Sequence, residues 1–111
     1  MIDLKIAKMY VSKADNARDN GHDFQLTFNQ YKALITKKRC YYSNIPFQHG
    51  DKEYGLSLDR IDNSKGYVPG NVVPCLKVVN NIKSALENPT NLLEPKHLKR
   101  MCEILIKASK K

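Results

Sequence analysis

Long apolar runs are missing from this chain of 111 residues. No window can span a bilayer, and the N-terminus lacks the apolar stretch of a signal peptide, so membrane insertion is not expected and a cytoplasmic setting is. Paired cysteines are missing too: Cys40, Cys75 and Cys102 form no CxxC, and an odd count without an export signal points to reduced thiols rather than a disulfide framework. Internal repeats and low-complexity tracts are absent, which excludes solenoids and, apart from the last few lysines, disorder. Acidic residues are few, 11 against 19 basic, for a net charge of +8. The excess is +3 over residues 1–76 and +5 over residues 77–111, a field that favours polyanions, nucleic acid before an anionic membrane. At this length one small domain with a modest core is expected, and a metal or partner would help to staple it.

What is present reads as helices around a short hairpin. Residues 3–19 have a helical stripe of Ile6, Met9, Tyr10, Lys13 and Ala17, with Gly21 as its stop. Phe24, Leu26 and Phe28 alternate as a short extended segment, and Thr27 is a cap for a helix to about Lys38 that buries Tyr31, Leu34 and Ile35. Residues 40–47 read as a knuckle leading to a strand, and residues 48–55 as a loop. Leu56 to about Ile61 reads as a strand, Asn63-Ser64-Lys65-Gly66 and Pro69-Gly70 as turns, and Val72-Val73 as a second strand. A helix is expected from Cys75 to about Glu87. A last amphipathic helix ends at Ser109, with Leu98, Met101, Cys102, Leu105 and Ile106 inward and Lys96, Lys99, Arg100 and Lys107 outward.

Strand, turn, strand and helix bring an acid, Asp59, and an amide, Asn80, into one unit although 21 residues separate them. Phosphodiester hydrolysis needs charge neutralised on the phosphate and a water delivered in line. A hard divalent ion held by few protein oxygens keeps positions for both. Asp59-Arg60-Ile61-Asp62, Gly66-Tyr67, Asn71-Val72-Val73 and Asn80-x-x-Lys83 resemble the ββα-metal core of HNH endonucleases, and most closely the small phage-type members. The resemblance covers about residues 10–85 and implies an α+β fold: a hairpin-plus-helix core at 40–87, an N-terminal helical part at 1–39, and a C-terminal helix at 88–111. It implies that Asp59 and Asn80 hold Mg²⁺ or Mn²⁺, that Asn71 pins the loop, and that Lys83 lies near phosphate.

Arg60 stands where most of that family has its catalytic histidine, and a guanidinium cannot accept a proton near neutral pH. It can clamp phosphate instead, leaving Asp62, His49 or no side chain at all to assist the water. His22 and His97 read as surface residues. Lys65, Tyr67 and Lys77, with Lys83, are the expected DNA contacts, of a kind that positions a protein without reading sequence. Where many relatives carry two zinc knuckles, this chain has Cys40-Tyr41-Tyr42-Ser43 and then Leu76 and Val79, which offers too few donors for structural zinc. Packing of Leu76 and Val79 against Tyr42 or Ile45 is the expected substitute. The expected activity is DNA nicking or cleavage, in the host-cell cytoplasm if a phage encodes the chain. The alternatives are a non-catalytic module of the same fold that binds DNA or protein, and a regulator of a partner nuclease. The last helix is left to pack on its own chain or to form a homodimer.

Overall fold

The computed structural model describes residues 2–109. Six elements follow in order: α1 (Ile2–Asp19), α2 (Phe28–Ile35), β1 (Leu56–Arg60), β2 (Val72–Leu76), α3 (Lys77–Glu87) and α4 (Pro95–Ser109). They divide into two compact units with the boundary between Val79 and Asn80.

In the first unit, β1 and β2 form an antiparallel hairpin in which Leu56 faces Leu76, Leu58 faces Pro74 and Asp59 faces Val73. One side of it joins α1 and α2: Leu58 and Val72 are buried with Ile6, Ala14, Ala17, Phe24, Leu26 and Tyr31. On α1 the buried stripe includes Ala14, while Met9, expected inside, is exposed. The helix packs against α2 and the segment before it, where Tyr10 donates its hydroxyl to the Leu26 carbonyl at 2.6 Å.

Both helix ends expected from local signals are built as the signals imply. At Gly21, which has a positive φ of 78°, the His22 N–H donates to the Ala17 carbonyl and the Gly21 N–H to the Arg18 carbonyl. This paired closure needs a residue without a Cβ at the left-handed position. Thr27 caps α2 in a reciprocal box with Gln30. The helix is shorter than expected, because Thr36 turns its hydroxyl onto the Lys32 carbonyl at 2.7 Å. Tyr31 is fully buried, whereas Leu34 and Ile35 are half-buried.

The second strand runs on to Leu76, so Cys75 lies on a strand and not on the following helix as expected. Pairing of Cys75 with Ser57 and Leu76 with Leu56 keeps the chain extended. The Gly55 and Glu53 carbonyls then accept the N–H groups of Lys77 and Val78, and the helix begins there. On this side of the hairpin Cys40, Cys75 and Leu76 form a second buried cluster, with Phe47, Val78 and Val79 against it. Leu76 and Val79 do pack on the knuckle, but through Cys40 and Phe47. Tyr42 and Ile45 are 41% and 44% exposed and are not the partners expected.

Burial pushes the Cys40 thiol up, yet the Ser43 side chain and the N–H groups of Leu76, Ser43 and Tyr42 outweigh it and leave the thiol below its ordinary value. Access still decides reactivity, since Cys40 and Cys75 are 2% and 0% exposed and Cys102 is exposed. A thiol-reactive dye is therefore expected to label one cysteine of the native protein quickly and the other two only after denaturation. Prompt labelling of all three would mean that the knuckle cluster is open.

The second unit holds the rest of α3, a connection built on Asn88 and Asn91, and α4. Asn88 accepts from the Thr90 N–H and hydroxyl, and the Asn91 amide donates to the Ala85 carbonyl at 2.8 Å. The α4 stripe is not inward as expected: Leu98 is half-buried, and Met101, Cys102, Leu105 and Ile106 are exposed. His97 is tied into its helix start, its Nδ1 accepting from the Glu94 N–H at 2.9 Å. Among the described residues no helix is long and apolar enough to cross a membrane.

Candidate active site

The last two residues of β1 reach different surroundings. Asp59 is 6% exposed, and its Oδ2 accepts the Tyr42 hydroxyl at 2.5 Å, a length found where a hydroxyl meets a carboxylate. Tyr42 comes from the knuckle, 17 residues earlier, and reaches Asp59 because the Tyr41 N–H is held by the Pro74 carbonyl at 2.9 Å. An acid buried at a strand end and oriented by a phenol is an unusual surface for a small domain to retain. As a hard, partly screened oxygen donor it fits a Mg²⁺ or Mn²⁺ ion. Among the described residues no three His, Cys, Asp or Glu side chains gather as a metal cluster.

Arg60 turns to the helical side. Its Nη1 lies 3.2 Å from His22 Nδ1 and donates to the carbonyls of Asn63 and Lys65 at 3.1 and 3.0 Å. Its guanidinium carbon is 5.5 Å from the centre of the Tyr67 ring. Arg60 is a clasp on the hairpin turn, and His22 is part of that clasp. The expectation that His22 is a surface residue without partners is corrected: the ring is half-buried and also meets Tyr67 edge-on at 6.1 Å.

Asn71 pins the same turn. Its Oδ1 accepts the Asp62 N–H at 2.9 Å, and its Nδ2 donates to the carbonyls of Asp62 and Gly66 at 3.1 and 3.0 Å. Gly66 leaves room for the 23–25 segment, where Tyr67 N–H donates to Asp23 and Gln25 N–H to Tyr67. Asp62 is exposed, and its Oδ1 accepts from the Ser64 N–H and hydroxyl at 3.0 and 2.6 Å. That side chain shapes the turn.

His49 lies on the loop before β1, which Asp51 stiffens by accepting the Tyr54 and Glu53 N–H groups; those bonds hold its carboxyl below the usual carboxylate value. The imidazole borders a cleft of about 390 Å³ with Lys13, Lys77, Tyr31 and Leu58. Lys65 is exposed on the turn and Tyr67 half-buried beside it. In the second unit Asn80 is half-buried one turn into α3, and Lys83 is ion-paired with Glu87 at 2.9 Å.

No family model matches the chain. It is 36% identical over 80 residues to an uncharacterized 29.0 kDa protein from the dda-modA intergenic region of Enterobacteria phage T4, covering 72% of this chain and 32% of that protein. It is 28% identical over 81 residues to the uncharacterized protein R423 of Acanthamoeba polyphaga mimivirus, covering 73% of this chain and 14% of that one. The chain spans about a third of the phage relative's length. Among solved structures it is similar to the rare-cutting HNH restriction endonuclease PacI, with a TM-score of 0.58 and 21% identity over 94% of this chain and 78% of that one. The fold is HNH-like. The α+β class expected from the motifs stands, with the hairpin followed directly by α3 and the N-terminal helices against one hairpin side. Within the HNH-like fold, Tyr42, His22 and Lys13 are the site neighbours that no local pattern announces.

Proposed function

We propose that this chain is a metal-dependent endonuclease of the HNH type that hydrolyses DNA phosphodiester bonds. The observation that carries the reading is Asp59, a buried carboxylate at the end of β1, oriented by Tyr42 and followed at once by a turn fastened by Asn71 and Arg60. Asp59 would hold the Mg²⁺ or Mn²⁺ ion, and the motif assigns Asn80 as the second oxygen donor. The ion, when bound, supplies charge stabilisation on the phosphate and leaving oxygen. Tyr42 fixes one carboxylate oxygen and so limits how Asp59 can rotate. Asn71 keeps the turn in one shape, and Arg60 presents a permanent positive charge beside it. Arg60 cannot serve as a base, Asp62 is engaged with Ser64, and His49 borders a different cleft, so the reading includes no side-chain base at Arg60. Lys65, Tyr67, Lys77 and Lys83 would follow the DNA backbone.

Arg60 also favours a second reading. A guanidinium spent on His22 and two turn carbonyls is a structural clasp, as in a DNA-binding module of this fold without catalysis. A homodimer through the exposed α4 stripe would suit either reading. Incubation with supercoiled plasmid in Mg²⁺, in Mn²⁺ and in EDTA separates the two readings. Relaxed circles in the metal lanes alone are the expected result. Salt-sensitive binding with no relaxed product in any lane would establish the module and end the nuclease reading.

A further inference from the structure

Tyr31 is 4% exposed, yet its hydroxyl has no hydrogen-bond partner among the described residues. No side-chain oxygen sealed among those residues lacks a partner, so this hydroxyl reaches solvent. The opening that Tyr31 borders is the cleft of about 390 Å³ in the first unit. Burial pushes the phenol up, so at neutral pH it keeps its proton and can donate it. A core tyrosine ordinarily gives its hydroxyl to protein, as Tyr10 does to the Leu26 carbonyl at 2.6 Å. Phenylalanine would fill the Tyr31 position without burying a polar atom.

The rest of the cleft is one-sided in charge. Met9, Ile35, Leu56 and Leu58 supply an apolar wall, and no acid lines it. Lys77 enters at the start of α3, its N–H fixed by the Gly55 carbonyl at 3.0 Å. Asp51 feels that charge less than it feels the Tyr54 and Glu53 N–H groups that its carboxylate accepts. Lys13 also borders the cleft, but its ammonium lies 4.6 Å from the centre of the Tyr67 ring, so Lys77 supplies the charge. His49 stands on a braced loop. The Gln48 N–H donates to the Tyr54 carbonyl at 2.8 Å and the Asp51 N–H to the Gln48 carbonyl at 3.0 Å, with Gly50 between them at a φ of 84°. The His49 ring has no partner among the described residues, and either neutral tautomer offers one N–H.

We infer that this cleft binds one nucleoside monophosphate unit, its base on the apolar wall, its phosphate at Lys77 and His49, and the Tyr31 hydroxyl donating to its buried end. The volume suits a ligand of that size, and a double helix cannot enter it. A free mononucleotide and an unpaired nucleotide of a strand present the same chemistry. Only the choice of a nucleotide among flat anions rests on the proposed function; neither a metal nor cleavage is involved.

Titration of the ¹⁵N-labelled full chain in EDTA, followed by amide chemical shifts, tests the cleft directly. Thymidine monophosphate is expected to move the Gly50, Ser57 and Lys77 amides along a saturable curve. Inorganic phosphate alone and thymidine alone should each need at least about tenfold more ligand. Tyr31→Phe should weaken binding about three- to tenfold with its thermal melt unchanged, whereas Lys8→Gln, exposed elsewhere on α1, should leave it at the wild-type value. A short oligothymidine that saturates these amides where the mononucleotide does not would assign the cleft to a strand, and the reverse to a free nucleotide. Amides unmoved by both probes overturn the inference, and so does undiminished affinity in Tyr31→Phe or equal binding of inorganic phosphate. Plasmid nicking is scored separately. A chain that nicks without these shifts keeps the proposed function and loses the cleft, and one that shifts without nicking does the reverse.

Discussion

Asp59→Ala is expected to lower metal-dependent plasmid nicking by at least about a thousandfold while duplex binding in EDTA stays within about threefold of wild type. Charge stabilisation by a bound ion amounts to several kcal/mol, and each ~1.4 kcal/mol is a factor of ten in rate. Losing the carboxylate removes the only acid buried at the hairpin, so little of that stabilisation should survive. The same change should not harm the fold. A carboxylate at 6% exposure is expensive to desolvate, and its hydrogen bonds, that from Tyr42 among them, restore only part of what water gave it. Asp59→Asn keeps an acceptor for that hydroxyl, so its metal-free melting temperature is expected at or above that of wild type. Stability gained where activity is lost is the mark of a residue kept for chemistry. Full nicking by either variant would end the assignment.

The second large effect concerns the turn. Gly66→Ala places a Cβ 2.6 Å from the Asp23 carbonyl oxygen, 2.7 Å from its Cβ and 2.8 Å from its nitrogen. Two of those three atoms are backbone, so no side-chain rotation relieves the contact. The 23–25 segment must move, which breaks the Tyr67 to Asp23 and Gln25 to Tyr67 hydrogen bonds at 2.8 and 2.9 Å. Overpacking costs about 1–3 kcal/mol and each bond about 1 kcal/mol. A loss of about 3 kcal/mol follows, or more than about 10 °C in melting temperature for a domain this small. Gly70→Ala is the comparison: nothing lies within 4 Å of its Cβ, and the cost there is only the left-handed φ of 86°, about 1–2 kcal/mol. If Gly66→Ala melted no earlier than Gly70→Ala, the segment would not sit against the turn.

What could be read from the sequence was local. Gly21 as a helix stop, Thr27 as a cap and the two turn signals each act within a few residues of themselves, and each is found in place; the loop-pinning role of Asn71 is implied by the family resemblance, and its side chain does bond the turn. The end of β2 lies beyond the expected strand because Val72-Val73-Pro74-Cys75 carries no signal for where pairing stops. That depends on Ser57 and Leu56 across the hairpin and on the Gly55 carbonyl. No local signal marks His22, because its partner is 38 residues away and is a cation, a neighbour no spacing rule suggests. The knuckle pattern suggests Tyr42 as a packing residue for Leu76 and Val79, but its hydroxyl meets Asp59. For α4 the helical period was legible, while the face it would cover was not, since an amphipathic pattern names no partner.

The closure at Gly21 turns the last part of α1 into a ruler. His22 is set beside Arg60 by bonds to Ala17 and is anchored at the helix end; Lys13 is then placed over Tyr67 by counting back along the helix, about 1.5 Å and 100° per residue. One residue deleted between Lys13 and Gly21 would swing the ammonium a quarter-turn off the ring and leave His22 where it was. The same deletion before Ile6, or in the loop that follows the knuckle, would disturb neither. Chain length in this fold is metered in the stretch from Lys13 to Gly21.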